Sequence, residues 1–278
     1  MVLKRFPGLS LNNLNKALRK KDIRVNGIKV NENVVLSEKD KVQIYIPDYN
    51  LIKNSQEDIK KYIIYEDNNL IILNKQQGIC VKSDVANELS IEDLLREYSN
   101  NEYIPRPCHR LDRNTQGIVI FAKNEEALDE LKTCFSERLI EKYYKCLVYG
   151  ILQNKSDVLE GYLFKDAKKN IVKISKQKGK GYVAIKTKYT VIKENKKNNT
   201  SILEVELLTG RTHQIRAHLA SVGHYIIGDN KYGDKQVNRM FKKSSQQLIA
   251  YKIKFNTANL RLLKYLDGKV FEIDGKQF

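Results

Sequence analysis

Apolar residues in this chain fall mostly into short segments with a period of two, set between a few stretches of helical spacing. Tyr62–Asp67 and Leu70–Lys75 predict two strands joined by the turn residues Asp67-Asn68-Asn69. Ile118–Ala122 is an apolar run that predicts a buried strand, Lys142–Gly150 a long strand, and Ile202–Leu207 an alternating strand with outward glutamates. Gln247–Phe255 predicts another strand, and residues 193–200 a polar turn. Helical spacing appears at Leu11, Leu14 and Leu18 behind Ser10 as cap, and from Ile91 to Tyr98 behind Ser90. It recurs from Asn124 to Glu137 with Leu128, Leu131 and Phe135 on one side, and at Ile215, Leu219 and Val222, with Thr212 as cap and Gly223 as stop. Ile23–Val30 alternates around Asn26-Gly27, a strong hairpin signal, and Lys41–Ile46 closes that unit as a strand. The polar stretch 49–60 has no periodicity and reads as a linker. The pattern predicts an α+β chain: a small module over 1–48, a linker over 49–60 and a larger domain over 61–278.

Charge adds a partner to this picture. The 278 residues carry 50 Lys and Arg against 33 Asp and Glu, a net charge of +17, which folding does not require and which points to a polyanion. The longest apolar runs are five or six residues and the N-terminus lacks a signal-peptide core, so the expected location is the cytosol and no membrane is crossed. Residues 1–48 hold ten basic against five acidic residues. Lys16, Arg19, Lys20 and Lys21 lie on or near the polar face of the first helix, and Arg24 is in the hairpin; all five are candidate contacts to a polyanion, either nucleic acid or an acidic membrane surface. Between Lys165 and Lys188 there are nine lysines and one acid, Asp166. Gly179 and Gly181 interrupt the run, which predicts a mobile basic hairpin or loop suited to phosphate contact, with a solvated lysine face as the alternative. Cys80, Cys108, Cys134 and Cys146 are widely spaced with no C-x-x-C pair, so buried reduced thiols are expected. His213, His218 and His224 are five and six residues apart and do not line one helical face as metal ligands do.

The candidate chemistry lies in His109-Arg110-Leu111-Asp112-Arg113-Asn114-Thr115-Gln116-Gly117, which runs straight into the buried 118–122 segment. Asp112 is a lone carboxylate with Arg110 and Arg113 close in sequence, and opposite charge favours the charged form of a carboxylate. Such an anion can act as nucleophile or base while the arginines hold a polyanion over it; a structural salt bridge in a polar loop is the alternative. The wording of this stretch resembles the signature of the RluA-type pseudouridine synthases, which isomerise uridine to pseudouridine in RNA. Leu208-Thr209-Gly210-Arg211-Thr212-His213-Gln214-Ile215-Arg216-x-His218-Leu219, followed by Gly223-His224 and Gly228-Asp229-x-x-Tyr232-Gly233, resembles the family's second long signature, in the expected order. Lys142–Gly150 resembles its lysine-x-tyrosine strand. The helix, basic turn and hairpin of residues 1–48 are similar to the S4-type RNA-binding domain.

The resemblance implies a largely antiparallel, twisted sheet with flanking helices behind an S4-like module. It implies a monomeric synthase acting on structured RNA, with large-subunit ribosomal RNA favoured over transfer RNA, and with neither metal nor cofactor. It assigns the reacting carboxylate to Asp112, the basic partner of that carboxylate to Arg211, and the aromatic that stacks on the uracil to Tyr144, with Tyr143 adjacent. Arg110 would fill the gap left by the flipped uridine. Arg113 and Thr115 belong to the substrate-binding set. His109 and His213 fit that set or a structural role, the latter preferred, and Arg216 and His218 either contact phosphate or cap the cleft. The chain departs from the family pattern at Gln76, where a proline is usual, and at Lys82 and Ile249, where histidines are common.

Overall fold

The computed structural model describes residues 11–45, 59–83 and 89–274. The Ser10 cap, the Pro47-Asp48 boundary and most of the linker lie outside them. Ile59, assigned to the linker, is buried in the core of the larger domain; six polar residues part it from Leu51 and Ile52, which leaves no periodicity to read.

The N-terminal module has one helix, α1 (Leu11–Lys20), and three short strands, β1 (Ile23–Val25), β2 (Ile28–Val30) and β3 (Val42–Ile44). β1 sits between β2 and β3, antiparallel to both. Asn26 (φ 51°) and Gly27 (φ 83°) both take the left-handed conformation that a two-residue hairpin turn requires. The Asn26 side chain also ties the turn to β3, accepting from the Lys41 N–H at 2.9 Å. Leu14, Ala17, Leu18 and Ile23 form a small core of their own.

The larger domain is built on an eleven-stranded sheet. β4 (Ile63–Glu66) and β5 (Leu70–Lys75) form a hairpin, and α2 (Ile91–Tyr98) follows. A capping box starts α2: the Ser90 hydroxyl accepts from the Asp93 N–H while the Asp93 carboxylate accepts from the Ser90 N–H. β6 (Arg106–Pro107) leads to β7 (Gln116–Ala122), whose seven residues are all buried. α3 (Glu125–Ser136), capped by Asn124, precedes β8 (Ile140–Tyr149). Then come β9 (Ser156–Asp166), β10 (Ile171–Ser175), β11 (Val183–Asn195), β12 (Thr200–Glu206), α4 (Gln214–Ser221), α5 (Lys235–Met240), β13 (Leu248–Phe255), a 3-10 turn (Leu263–Leu266) and β14 (Val270–Glu272). The strand order is β10-β9-β11-β12-β8-β13-β7-β5-β4, with β14 on β13 and β6 on β7. All pairs are antiparallel except β13 with β7.

Each face of the sheet carries its own apolar layer. α2 and α4 bury Leu94, Leu95, Ile215 and Leu219 on one face against Val119, Tyr144, Cys146 and Val148. α3 buries Leu128 and Leu131 on the other, against Ile118, Ile120, Ile253 and Phe255. At the parallel crossing Gly117 (φ 129°) faces Ala250 so closely that a Cβ would lie 2.2 Å from the Ala250 carbonyl oxygen. Only glycine fits that position.

Two expectations need correction. Residues 165–188 contain a hairpin, β9 with β10, in place of a loop, and with β11 it forms an antiparallel extension whose Leu163, Val172 and Ile185 are buried with Ala217 of α4. The many exposed lysines hide that alternation in the sequence. Thr212 does not cap α4; the helix begins after His213, which is left-handed at φ 54°. Of the cysteines, Cys134 and Cys146 are buried but Cys80 and Cys108 only partly so, and none is in a disulfide.

Candidate active site

Asp112 lies in the connection between β6 and β7, on the face of the sheet covered by α2 and α4. Several bonds fix this loop. The Thr115 N–H donates to the Asp112 carbonyl at 2.9 Å, and the Thr115 hydroxyl accepts from Gln246 Nε2 at 2.6 Å. His109 points away from Asp112: its Nε2 accepts the Ile120 N–H at 3.1 Å and its ring packs on Phe135 at 4.6 Å between centroids. Burial pushes the His109 imidazole down to about 3, so Nε2 stays an acceptor at neutral pH. From below, Lys75 at the end of β5 is fully buried, and its Nζ donates to the carbonyls of Gln76, Ile79 and Arg113, each at 3.0 Å. The Gly78 N–H donates to the Arg113 carbonyl at 2.8 Å as well. Burial pushes the Lys75 ammonium down to about 7, with the Asp112 charge pulling the other way.

The basic partner of Asp112 is Arg216, not Arg211. Arg216 Nη1 donates to Asp112 Oδ2 at 2.8 Å. Its Nε and Nη2 grip Asp229 in a bidentate pair at 2.7 and 2.9 Å. The Asp229 side chain is completely buried and also accepts the N–H groups of Lys231 at 2.8 Å and Tyr232 at 3.2 Å. Burial pushes the Asp229 carboxyl up, but the Arg216 bonds and charge outweigh that and hold it below its ordinary range. Arg211 precedes the helix and is exposed; its N–H donates to Gln214 Oε1 at 3.1 Å. Arg211 lies three residues ahead of α4, outside the helix, while Arg216 is in its first turn.

Tyr144 is buried in the same layer, and burial together with the Asp112 charge pushes its hydroxyl up, so the phenol stays neutral. Neighbouring Tyr143 faces the opposite side of the sheet, where its hydroxyl donates to Glu141 at 2.5 Å. His213 Nε2 is 3.8 Å from Asp112 Oδ1 while its Nδ1 meets the Tyr232 hydroxyl at 2.8 Å. Burial brings the His213 imidazole down to about 4, so at neutral pH the Asp112 contact is not an ion pair. Arg110 and Arg113 are exposed beside the half-buried Asp112, whose side chain is 24% accessible. His218 is buried against Thr187, its Nδ1 3.0 Å from the hydroxyl, and does not reach Asp112 by any hydrogen bond or ion pair.

The structure therefore brings Asp112, Tyr144, Arg216 and His213 together, with Arg110 and Arg113 at the mouth. It sets His109 and Thr115 behind the loop as supports and leaves Arg211 at the surface. In the N-terminal module Arg19, Lys20 and Lys21 are exposed, Arg24 lies over the Tyr45 ring at 5.3 Å, and the Lys16 side chain lies outside the described residues. Sequence reasoning missed Lys75, Asp229 and Tyr232 as parts of the site. The signal for Lys75 was a charged residue at the end of a strand that opens with four apolar residues, and for Asp229 an acid beside Gly228, itself at φ 82°.

Comparison with known proteins gives the chain its relatives. The family model described as RNA pseudouridylate synthase matches residues 69–221, more than half of the chain. "Ribosomal large subunit pseudouridine synthase C" of Buchnera aphidicola subsp. Baizongia pistaciae is 36% identical over 255 residues, covering 86% of this chain and 78% of that protein. The protein of that name from Vibrio vulnificus is 32% identical over 270 residues, covering 93% and 82%. Among solved structures, human RNA pseudouridylate synthase domain containing 1 superposes with a TM-score of 0.61 at 24% identity, over 76% of this chain and 81% of that one, which shows a shared fold.

Proposed function

The chain belongs to the RNA pseudouridylate synthase family, and from that premise we propose that it isomerises particular uridines of large-subunit ribosomal RNA with Asp112 as the reacting carboxylate. The single observation that supports this best is the Asp229–Arg216–Asp112 chain of ion pairs. It spends a buried, doubly anchored guanidinium on aiming one half-exposed carboxylate into a site lined by a buried tyrosine.

The reaction breaks the N1–C1′ bond of a uridine, turns the uracil, and joins its C5 to C1′; C5 loses a proton and N1 gains one. Atoms and electrons balance within the substrate. Asp112 serves either as nucleophile on the ribose or as base for a ribose proton, and both routes need it aimed and unprotonated. Arg216 supplies the aim. Tyr144 offers its ring to the extruded base. Arg110, exposed beside Asp112, takes the place of the flipped nucleotide, a step that costs a few kcal/mol. The N-terminal module acts as an S4-like RNA-binding domain, and the reaction takes place in the cytoplasm. Ribosomal RNA as target is supported by the names of the relatives.

The test is a pseudouridine map of ribosomal and transfer RNA, by a carbodiimide-type readout, from cells with and without the gene. Sites should vanish from large-subunit RNA and return with the wild-type protein but not with Asp112→Asn, while RNA affinity of that variant stays within a few fold. Near-normal turnover by Asp112→Asn would end the assignment.

A further inference from the structure

The extension formed by β9, β10 and β11 carries a group of charges that the site around Asp112 does not use. Lys165, Lys168, Lys169, Lys173, Lys176, Lys178 and Lys180 are all exposed, and none pairs with an acid among the described residues. By contrast Lys186 pairs with Glu160 at 2.6 Å and Lys188 with Glu206 at 2.9 Å, nearer the centre of the sheet. Positive charge therefore goes unanswered toward the outer end, where three lysines alternate over 176–180. Crowded like charges repel, and a polyanion relieves that repulsion by displacing its own counterions.

The same end presents an aromatic pair. Phe164 and Tyr182 lie 5.3 Å apart between ring centroids with planes tilted by 32°, and both are partly exposed. Glycines back them: a Cβ at Gly179 would come 3.1 Å from the Tyr182 ring and one at Gly181 3.3 Å from Phe164. Lys173 is directly opposite Phe164 in the β9–β10 register, so a cation stands on the ring's side of the sheet. Unpaired lysines beside exposed rings are the two parts of a single-strand nucleic-acid platform, phosphate contact and base stacking.

The extension is also tied to the helix that holds Arg216. Gln214 Nε2 donates to the Lys186 carbonyl and to the Thr187 hydroxyl, both at 3.0 Å, while its Oε1 accepts from the Thr209 hydroxyl and the Arg211 N–H. His218 Nδ1 meets the same Thr187 hydroxyl at 3.0 Å. Tyr182 is five strand residues beyond Thr187, roughly 16 Å at the usual rise. A strand held at that end is thus held in fixed relation to α4.

We propose that the outer end of β9–β10–β11 is a second RNA contact, separate from the Asp112 cleft, which grips a single-stranded part of the substrate through the lysines at 176, 178 and 180 and the Phe164–Tyr182 pair. The inference rests on the RNA-modifying reading above. It is tested on the full chain with a large-subunit ribosomal RNA transcript, measuring affinity across a salt series and single-turnover rate at saturating RNA.

The triple variant K176Q/K178Q/K180Q should lower the slope of log affinity against log salt by about two to three. Its affinity at 0.1 M salt should fall roughly tenfold or more, with the saturated rate unchanged. Arginine at the three positions should restore the slope. Tyr182→Ala should weaken binding by at least about fivefold with no change of slope, since stacking carries no charge. An unchanged slope in the glutamine variant, or a Tyr182→Ala variant that binds like wild type, overturns the proposal while wild-type turnover leaves the enzymatic reading intact. Absence of pseudouridine from the wild-type reaction would instead sink that reading, and the binding series would still decide the surface.

Discussion

Arg216 Nε and Nη2 are both committed to Asp229, which leaves Nη1 as the donor that meets Asp112. Three bonds from one planar head fix the direction of that donor, and lysine, a point charge on a flexible stem, cannot reproduce them. Arg216→Lys should therefore fold but lose about a hundredfold in single-turnover rate at saturating RNA, the cost of a reacting group misplaced by about an ångström. Removing the charge outright is worse, because buried Asp229 would be left unpaired at a cost of roughly 3–5 kcal/mol in stability. Arg211→Gln should keep the saturated rate within about threefold and change only affinity, since its side chain is exposed and has no ion pair with Asp112. Equal rate losses in Arg211→Gln and Arg216→Lys would contradict this assignment. The sequence could not separate the two arginines. They stand five residues apart in one motif, and which of them reaches Asp112 is set by how α4 packs on the sheet. Asp112 and Tyr144 were legible through the resemblance of their stretches to the family's signatures; strand alternation by itself says only that one of two adjacent tyrosines turns inward.

At the scale of elements, the loop holding Asp112 is fastened to β7 and α3 by a neutral histidine. His109 accepts the Ile120 N–H through Nε2 and rests on Phe135 of α3. Its folded pKa, about 3, is below the ordinary value of 6.5. Between those values the unfolded chain binds the proton and the folded chain does not, so stability is present above pH 6.5 and is lost as pH falls toward 3. From pH 7 to pH 5 His109 alone should cost about 2 kcal/mol. Denaturant unfolding at the two pH values checks this. His109→Phe should start less stable at pH 7, with the Ile120 N–H unpaired, yet lose about 2 kcal/mol less on acidification. An identical drop in variant and wild type would remove His109 from the linkage. Elements of this kind were largely legible from the sequence: β4, β5, β7, β8, β12 and β13 follow runs or alternations in the expected places, as do α2 and α3. The parallel pairing of β13 with β7 was not legible, because register between distant strands is set by tertiary packing and its only local trace is Gly117. β9–β11 were hidden because lysines occupy the outward positions of strands whose inward positions alone are apolar.

At the scale of the molecule, positive charge is divided among several places, and their separate contributions to RNA binding can be measured. The Asp112 mouth carries Arg110 and Arg113, and the N-terminal module presents Arg19, Lys20 and Lys21 at the end of α1. Arg19 and Lys20 occupy the last turn of α1, which favours cations there even in isolation, so basic residues at that point do not by themselves imply RNA. A helix-dipole role and an RNA role make opposite predictions when the three side chains become glutamine in the full chain. If they only serve the helix, stability falls by a few tenths of a kcal/mol per residue and the salt dependence of RNA binding is unchanged. If they contact phosphate, stability hardly moves and the slope of log affinity against log salt drops by about two to three. We expect the second outcome, together with an unchanged turnover rate at saturating RNA, because none of the three is among the hydrogen-bond or ion-pair partners of Asp112. Unfolding curves and a salt series on the same variant decide it, and an unchanged slope would remove the RNA-binding role from the N-terminal module while leaving the catalytic assignment untouched.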